Sequence, residues 1–323
     1  MKLTTLFNKG EFVVTGEVGP IKGAVSRDRN IEPACTQEAR HLQSWVHAVN
    51  VTDNQSAVMR LGSLAASVSL KQKGVEPVYQ LTCRDRNRIA LQSDLLTAYS
   101  LGIDNVLLLT GDHIQLGDHK EAKPVFDLDS VQLIDMAVGL RNGHDITGNE
   151  IENPPDMAYG AVVNPNFAPL ELQLLKMKKK VDAGAEFFQT QAVYDRKIFE
   201  TFINQASKLN VPIQVGLVVL KSPQMGKFMN DNVSGIEVPQ SWIDEIGSVA
   251  KADRKMKAAE MTGRFLAEVK DMVQGVHLMP LGWADIVPQI LQTANIAIFA
   301  DPYKPNEEAN DEQSKQRKSS IPN

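Results

Sequence analysis

The sequence predicts an α/β protein built as one (β/α)8 barrel, a TIM barrel, and three observations carry that expectation. Short β-rich runs alternate with helical stretches eight times along the 323 residues, at an average spacing of roughly 35 residues. The run Asn105-Val106-Leu107-Leu108-Leu109 has no polar alternation, so both faces of that strand should be covered, as in a parallel sheet wrapped by helices. The glycine fingerprints GxGxxG and GxxxxGKS, which mark common nucleotide-binding open sheets, do not occur.

Taken in order, the first strand is Phe12 to Glu17, stopped by Val18-Gly19-Pro20. The segment before it, Met1 to Glu11, alternates polar and apolar residues, lacks an apolar targeting core and receives no element. Residues 36–44 read as helix and Trp45 to Thr52 as the second strand. Asp53-Asn54-Gln55-Ser56 then open a helix carrying Val58, Leu61, Leu64 and Val68, with Gly74 as its stop. Pro77 to Cys83 form the third strand, and a helix with Ile89, Leu95, Leu96 and Tyr99 follows, ending at Gly102.

The Val106 strand is the fourth and runs into Thr110-Gly111-Asp112-His113. The irregular stretch His113 to Leu128 comes next, a length usually reserved for function. Asp129-Ser130 cap a helix to about Arg141, and 142–156 form a second polar loop. Ala158 to Val163 are the fifth strand, stopped by Asn164-Pro165-Asn166. Pro169 begins a helix with Leu170, Leu174, Met177 and Val181 at helical spacing, closed by Gly184. Phe187 to Gln191 are the sixth strand, with a helix at 195–208. Pro212 to Leu220 are the seventh, and a helical excursion over 222–274 precedes the eighth, Val276 to Leu281. Trp283 to Thr293 close the pattern as a last helix. The barrel should span 1–300; the remainder, 301–323, is polar and charged, with almost nothing to bury, and reads as a disordered or partner-docking tail.

A net charge of −5, a pI near 5.7 and interspersed signs argue against nucleic acid or an anionic membrane as partner. No stretch approaches a membrane-spanning helix. Cys35 and Cys83 lie far apart without a CxxC pair, as expected of thiols in a reducing cytoplasm rather than a disulfide or zinc framework.

In a parallel barrel the carboxyl ends of the strands build the site. Those ends read Glu17, Thr52, Gln80, Asp112, Asn164, Gln191 and Lys221. Asp112 follows a glycine that permits a tight turn, and it is either a functional carboxylate or a turn cap. The six histidines are scattered, with His144 and His277 isolated, so no metal site is expected. There is no GxSxG motif. Two separated carboxylates with amides suit proton transfer to a polar heterocycle, and a redox role would need a bound cofactor. From the residues alone, the reading stops at a polar-mouthed barrel with an acid.

Several motifs go further: Thr15-Gly16-Glu17 with Pro20, Leu81-Thr82-Cys83-Arg84-Asp85, Leu109-Thr110-Gly111-Asp112, and Val125 to Ser130. To these add Val163-Asn164-Pro165 and Lys180-Val181-Asp182-Ala183-Gly184-Ala185 leading to Gln189-Thr190-Gln191. In this order and at these strand ends, the chain resembles the methylenetetrahydrofolate reductases over roughly residues 3–300. The resemblance implies flavin-dependent reduction of 5,10-methylenetetrahydrofolate to 5-methyltetrahydrofolate, with FAD the default flavin and FMN the alternative. Glu17 matches the family's general acid, a role that needs a proton near neutral pH and so a partly desolvated place. Asp112 matches the carboxylate near the flavin pyrimidine edge. Gln191 matches the amide that reads the pterin, and Lys221 is placed with it on the substrate. Cofactor binding is assigned to Thr52, Gln80, Thr110, Gly111, Asp112, Asn164, Lys176 and Lys180.

Departures from the family pattern bear on the dinucleotide half of the flavin. Gln80 stands where many members carry histidine, Thr110 where arginine is common, and Asn164 and Gln173 where others help hold the dinucleotide. Lys176, Lys179 and Lys180 offer charge to a phosphate, or form a solvated helix face. After strand seven, where many relatives stack a nicotinamide on an aromatic ring, this chain reads Leu220-Lys221-Ser222-Pro223-Gln224-Met225 and first reaches an aromatic at Phe228. The electron donor is therefore expected to be a redox partner subunit, with the chain in an oligomer or a heteromeric complex. The alternative is NAD(P)H stacking on Phe228 or on a residue of the His113–Leu128 loop. Two other function classes stand beside this one: a flavin-free pterin barrel handing a methyl group to a corrinoid protein, and a non-catalytic scaffold subunit.

Overall fold

The computed structural model describes residues 1–28 and 31–297. The expected domain boundary at 300 and the tail at 301–323 lie outside the described residues. In chain order the elements are α1 (Leu3–Asn8), β1 (Val13–Val18), α2 (Ala34–Gln43), β2 (Ala48–Val51), α3 (Ser63–Gln72), β3 (Pro77–Thr82) and α4 (Arg88–Ser100). Then come β4 (Asn105–Leu109), α5 (Ser130–Arg141), β5 (Ala158–Val163), α6 (Leu170–Asp182), β6 (Phe187–Ala192) and α7 (Arg196–Ala206). The remainder are β7 (Ile213–Val218), α8 (Pro223–Asn232), α9 (Gln240–Gly247), α10 (Arg254–Val269), β8 (Gly275–Met279) and α11 (Val287–Thr293). The strands pair in parallel, each with the next, and β8 closes on β1, giving the expected eight-stranded barrel.

The eight strands form where the sequence places them because each is a β-branched or apolar run bounded by breakers. Boundaries shift by a few residues: β2 begins at Ala48 rather than Trp45, and β8 ends at Met279 rather than Leu281. One expected helix start is wrong. Residues 53–62 form a loop, and α3 begins only at Ser63. Asp53 is not a helix cap; its buried carboxylate accepts from the Thr82 amide and hydroxyl at 3.0 and 2.8 Å and pairs with Arg86 at 2.7 Å. The excursion over 222–274 resolves into α8, α9 and α10, joined by turns.

Inside the barrel, alternate residues of each strand stack in layers. The lowest layer, Val13, Ala48, Val78, Leu107, Ala158 and Phe187, is apolar and is closed by Leu3, Leu6 and Phe7 of α1. At Gly160 a β-carbon would lie 2.3 Å from the Phe187 ring, so this ring can fill the axis only beside a glycine. The helix α1 has no counterpart in the sequence reading. Six residues are too few to show a 3.6-residue period or to be stable alone; its stability comes from this packing. Its first amide donates to Asn105 Oδ1 at 2.7 Å, and the terminal amine reaches Glu76 and Asp104, both at 2.8 Å.

Above that floor lies a polar layer in which Thr15, Asn50, Gln189 and Gln214 are buried and hydrogen-bonded to one another. Cys35 and Cys83 are both buried free thiols, and burial pushes Cys83 up to about 12. Among the described residues no helix is long and apolar enough to cross a membrane.

Candidate active site

The carboxyl ends of the strands surround a cavity of about 580 Å³. Its lining brings together nine of the residues singled out from the sequence: Glu17, Gln80, Thr110, Gly111, Asp112, Asn164, Lys176, Lys180 and Gln191. Two are elsewhere. Thr52 is buried outside the cavity lining, and among the described residues its hydroxyl has no hydrogen-bond partner. Lys221 lies on the β7–β8 side, where its amine bonds the Leu281 carbonyl and sits 4.7 Å from the centre of the Trp283 ring. Burial lowers its pKa, against the pull of Glu38. Neither residue is part of the cavity lining, although both follow a strand end as Asp112 and Asn164 do.

Glu17 ends the inward face of β1 two residues after Thr15. It is 8% exposed, which places it at the cavity floor. Its Oε2 accepts from Gln80 Nε2 at 3.3 Å and lies 3.4 Å from His277 Nε2. His277 was missed as a site residue because it is far away in sequence. The pairing of Thr15 with His277 between β1 and β8 brings it into place. Inward alternation on β8, from Gly275 through His277 to Met279, was the signal available for it.

Asp112 stands at the opposite wall, exposed at the end of β4. Gly111 takes φ +91°, and a β-carbon there would lie 3.0 Å from Thr82 Cβ and 3.2 Å from Arg84 Cβ. The backbone thus crosses close over β3, with the Asp112 carbonyl 3.4 Å from a nitrogen of the buried Arg84. The Asp112 carboxylate accepts from the Ser56 amide at 3.0 Å. That amide is presented by a turn in which Asn54, Ser56 and Ala57 all take positive φ, a strained arrangement held from outside. The His113–Leu128 loop supplies the hold: at Gly117 even a β-carbon would collide with the Ala57 carbonyl. Arg84 also lines the cavity and is clamped by Asp85 at 2.7 Å.

The third wall is α6. Lys180 is half-buried and donates to the Val162 carbonyl at 2.7 Å. Burial, with the neighbouring charge of Lys176, pushes its pKa down to about 8, against the opposite pull of Asp129. Lys176 and Gln173 share the lining; Lys179 is not part of it. Among the described residues no ring apart from His277 lines the cavity, and Phe228 on α8 is 59% exposed and outside it. Among the described residues there is no cluster of three His, Cys, Asp or Glu able to hold a metal ion.

A barrel with an acid on β1, a carboxylate after a glycine on β4 and a lysine-bearing wall on α6 agrees with a family match over residues 2–295, to the model described as methylenetetrahydrofolate reductase. The chain belongs to this family. Among curated family members it is 23% identical over 251 residues to a probable NADPH-type reductase of Caenorhabditis elegans, covering 75% of this chain and 36% of that one. It is 32% identical over 153 residues to the NADH-type reductase 1 of Arabidopsis thaliana, covering 46% and 26%. With reductase 2 of Schizosaccharomyces pombe the identity is 22% over 320 residues, covering 92% and 48%. The chain thus spans between about a quarter and a half of the length of these reductases. A solved Clostridium thermocellum protein, described as binding two copies of 5-methyl-5,6,7,8-tetrahydrofolic acid, shares the fold with a TM-score of 0.59 at 13% identity. That alignment covers 92% of this chain and 100% of the other.

Proposed function

We propose that this chain reduces 5,10-methylenetetrahydrofolate to 5-methyltetrahydrofolate, using a bound flavin. The observation that carries the reading is the position of Glu17: a buried carboxyl at the end of β1, held by Gln80 and His277, on the floor of a cavity that Asp112 and Gln191 also line. Family membership supplies the prior, and the methyltetrahydrofolate bound by the clostridial barrel supports a folate in a cavity of this architecture.

The residues present fit a flavin. Leu107, Leu109 and Val162 give an apolar surface for a planar ring system, Gly111 leaves room for close backbone approach, and Lys176 and Lys180 supply positive charge for a phosphate. Gln80, Thr110 and Asn164 line the same space with polar groups. A flavin, when bound, supplies the hydride. Glu17 gives the proton: protonating the bridging nitrogen opens the five-membered ring of the substrate to an iminium ion, and the exocyclic carbon then accepts the hydride to become the methyl group. Asp112 places a negative charge where the cation develops, and Gln191 offers an amide to the pterin. FAD is the default and FMN the alternative, and chromatography of the released flavin decides between them.

The test is Glu17→Gln. The variant should keep the flavin absorbance and its reduction yet lose turnover with methylenetetrahydrofolate by about 10²-fold or more. Near-normal turnover would overturn the assignment, and a colourless protein that cannot be reconstituted with flavin would remove the flavin itself. The segment after β7, Leu220 to Met225, carries no aromatic side chain, and among the described residues Phe228 on α8 is exposed and outside the lining. This favours electron delivery by a redox partner over stacking of a nicotinamide. Anaerobic mixing of the flavin-loaded chain with NADH or NADPH should then bleach the flavin too slowly to support turnover. Fast bleaching would sink the partner requirement.

A further inference from the structure

Arg84 is a buried cation whose N–H groups are not all used. It continues the inward face of β3 after Val78, Gln80 and Thr82, and it is 1% exposed although it lines the cavity. Its place is fixed from several sides. Nε and Nη2 fork onto the two oxygens of Asp85 at 2.9 and 2.7 Å. Its carbonyl accepts from the Val125 amide at 2.8 Å, and its Cβ occupies space that Gly111 leaves open. Nη1 lies 3.4 Å from the Asp112 carbonyl, a long contact. A guanidinium carries an N–H on Nε and a pair on each Nη. One N–H on each Nη therefore has no acceptor among the described residues. Buried charged donors without acceptors are costly, and beside a cavity the bound molecule can supply the acceptor.

The neighbouring residues decide which acceptor fits. Thr82 pairs with Leu109 between β3 and β4, so Arg84 stands just above the Leu107 and Leu109 surface, at the edge of a planar ring resting there. A flavin offers acceptors in its phosphate and in the pyrimidine end of its ring, which carries the carbonyls. The benzenoid end is hydrocarbon and offers none. Lys176 and Lys180 line the cavity from α6 and suit the phosphate, which leaves the pyrimidine carbonyls for Arg84.

We propose that Arg84 is a flavin-binding residue that donates to a carbonyl at the pyrimidine end of the ring and, by its charge, makes the bound flavin easier to reduce. The inference rests on reading the cavity as a flavin site and adds which side chain sets the redox balance there. Reduction places negative charge on the pyrimidine end, so a fixed cation beside it favours the reduced form. Asp85, the counter-charge of Arg84, acts in the opposite sense.

Two variants of the full chain should therefore move the bound flavin in opposite directions. Arg84→Met removes the cation. At a fixed solution potential, read by absorbance against a reference dye, its ratio of reduced to oxidised flavin should fall about tenfold, which is about 30 mV for a two-electron couple. Asp85→Asn keeps the guanidinium and removes its counter-charge, so the ratio should rise about threefold, the smaller effect of a partly solvated group. A merely structural pair would loosen the site in both variants; shifts of the same sign, or none, overturn the proposal. Should Arg84→Met fail to fold, a ratio in Asp85→Asn that falls or stays unchanged overturns it alone. Titration of the flavin-free chain separates ring from phosphate, because riboflavin has the ring and no phosphate. Arg84→Met should weaken FMN and riboflavin equally, by about tenfold. A loss confined to FMN would place Arg84 on the phosphate and overturn the proposal. An unaltered chain that binds no flavin would sink the flavin reading itself, whereas normal binding and an unshifted ratio in Arg84→Met would sink only the role of Arg84.

Discussion

Replacing Lys180 with methionine should make the flavin-free chain more stable and flavin binding weaker. The folded protein holds this amine at about 8 against an ordinary 10.5, first because it is buried and then because Lys176 is near. At about 1.4 kcal/mol per pH unit, that difference is about 3 kcal/mol opposing the charged amine in the folded state. Below pH 8 the amine is charged in both states and the whole penalty is present. Between pH 8 and 10.5 the unfolded chain holds the proton more firmly, so stability rises with pH until the penalty has vanished. Methionine removes the charge and keeps most of the apolar stem, but forfeits the bond to the Val162 carbonyl, worth about 1–2 kcal/mol. A net gain of about 1–2 kcal/mol follows at pH 7, or about 2–4 °C for a chain of this size. The gain should shrink by pH 10. A flavin phosphate at this wall would reverse the balance by supplying the missing anion, so Lys180→Met should bind FAD or FMN about tenfold or more weakly. Thermal unfolding of flavin-free protein at pH 7 and pH 10, with fluorescence titration of flavin, reads both effects. A variant less stable at pH 7, or one binding flavin with unchanged affinity, would refute the reasoning.

Two further substitutions test the frame around the site. Leu6→Ala opens a hole in the plug beneath the barrel, where Leu6 is 4% exposed, and should cost about 2–5 kcal/mol in a denaturant titration; a loss below about 1 kcal/mol would mean that α1 is not part of the core. Asp53→Asn leaves the half-buried Arg86 with only Asp94 and weakens the hold on Thr82, so a loss of about 3 kcal/mol is expected in the same assay. An unchanged unfolding midpoint would show that the pair contributes nothing net.

The order of elements was legible in the sequence because a parallel barrel buries both faces of every strand and punctuates each with glycine, proline or a capping residue. The run at Val106 to Leu109 and the stops at Gly74, Gly102 and Gly184 needed no tertiary information. Much of the mouth was legible for a related reason: in a parallel barrel, strand ends converge, so Glu17, Gln80, Asp112 and Gln191 could be placed together from their positions alone. The helix α1 was hidden because six residues are helical only through the floor they pack on. Asp53 was misplaced because a carboxylate after a strand has the local signature of a helix cap, and only the fold brings Arg86 to it. Thr52 and Lys221 were assigned to the cavity from strand ends alone, and a strand end does not fix where the side chain after it goes: the Lys221 amine is taken by the Leu281 carbonyl. His277 looked isolated because its partner Glu17 lies 260 residues away. Local composition decides which segments become strands, whereas the register with which β8 closes on β1 decides which side chains meet, and that register is a property of the whole barrel.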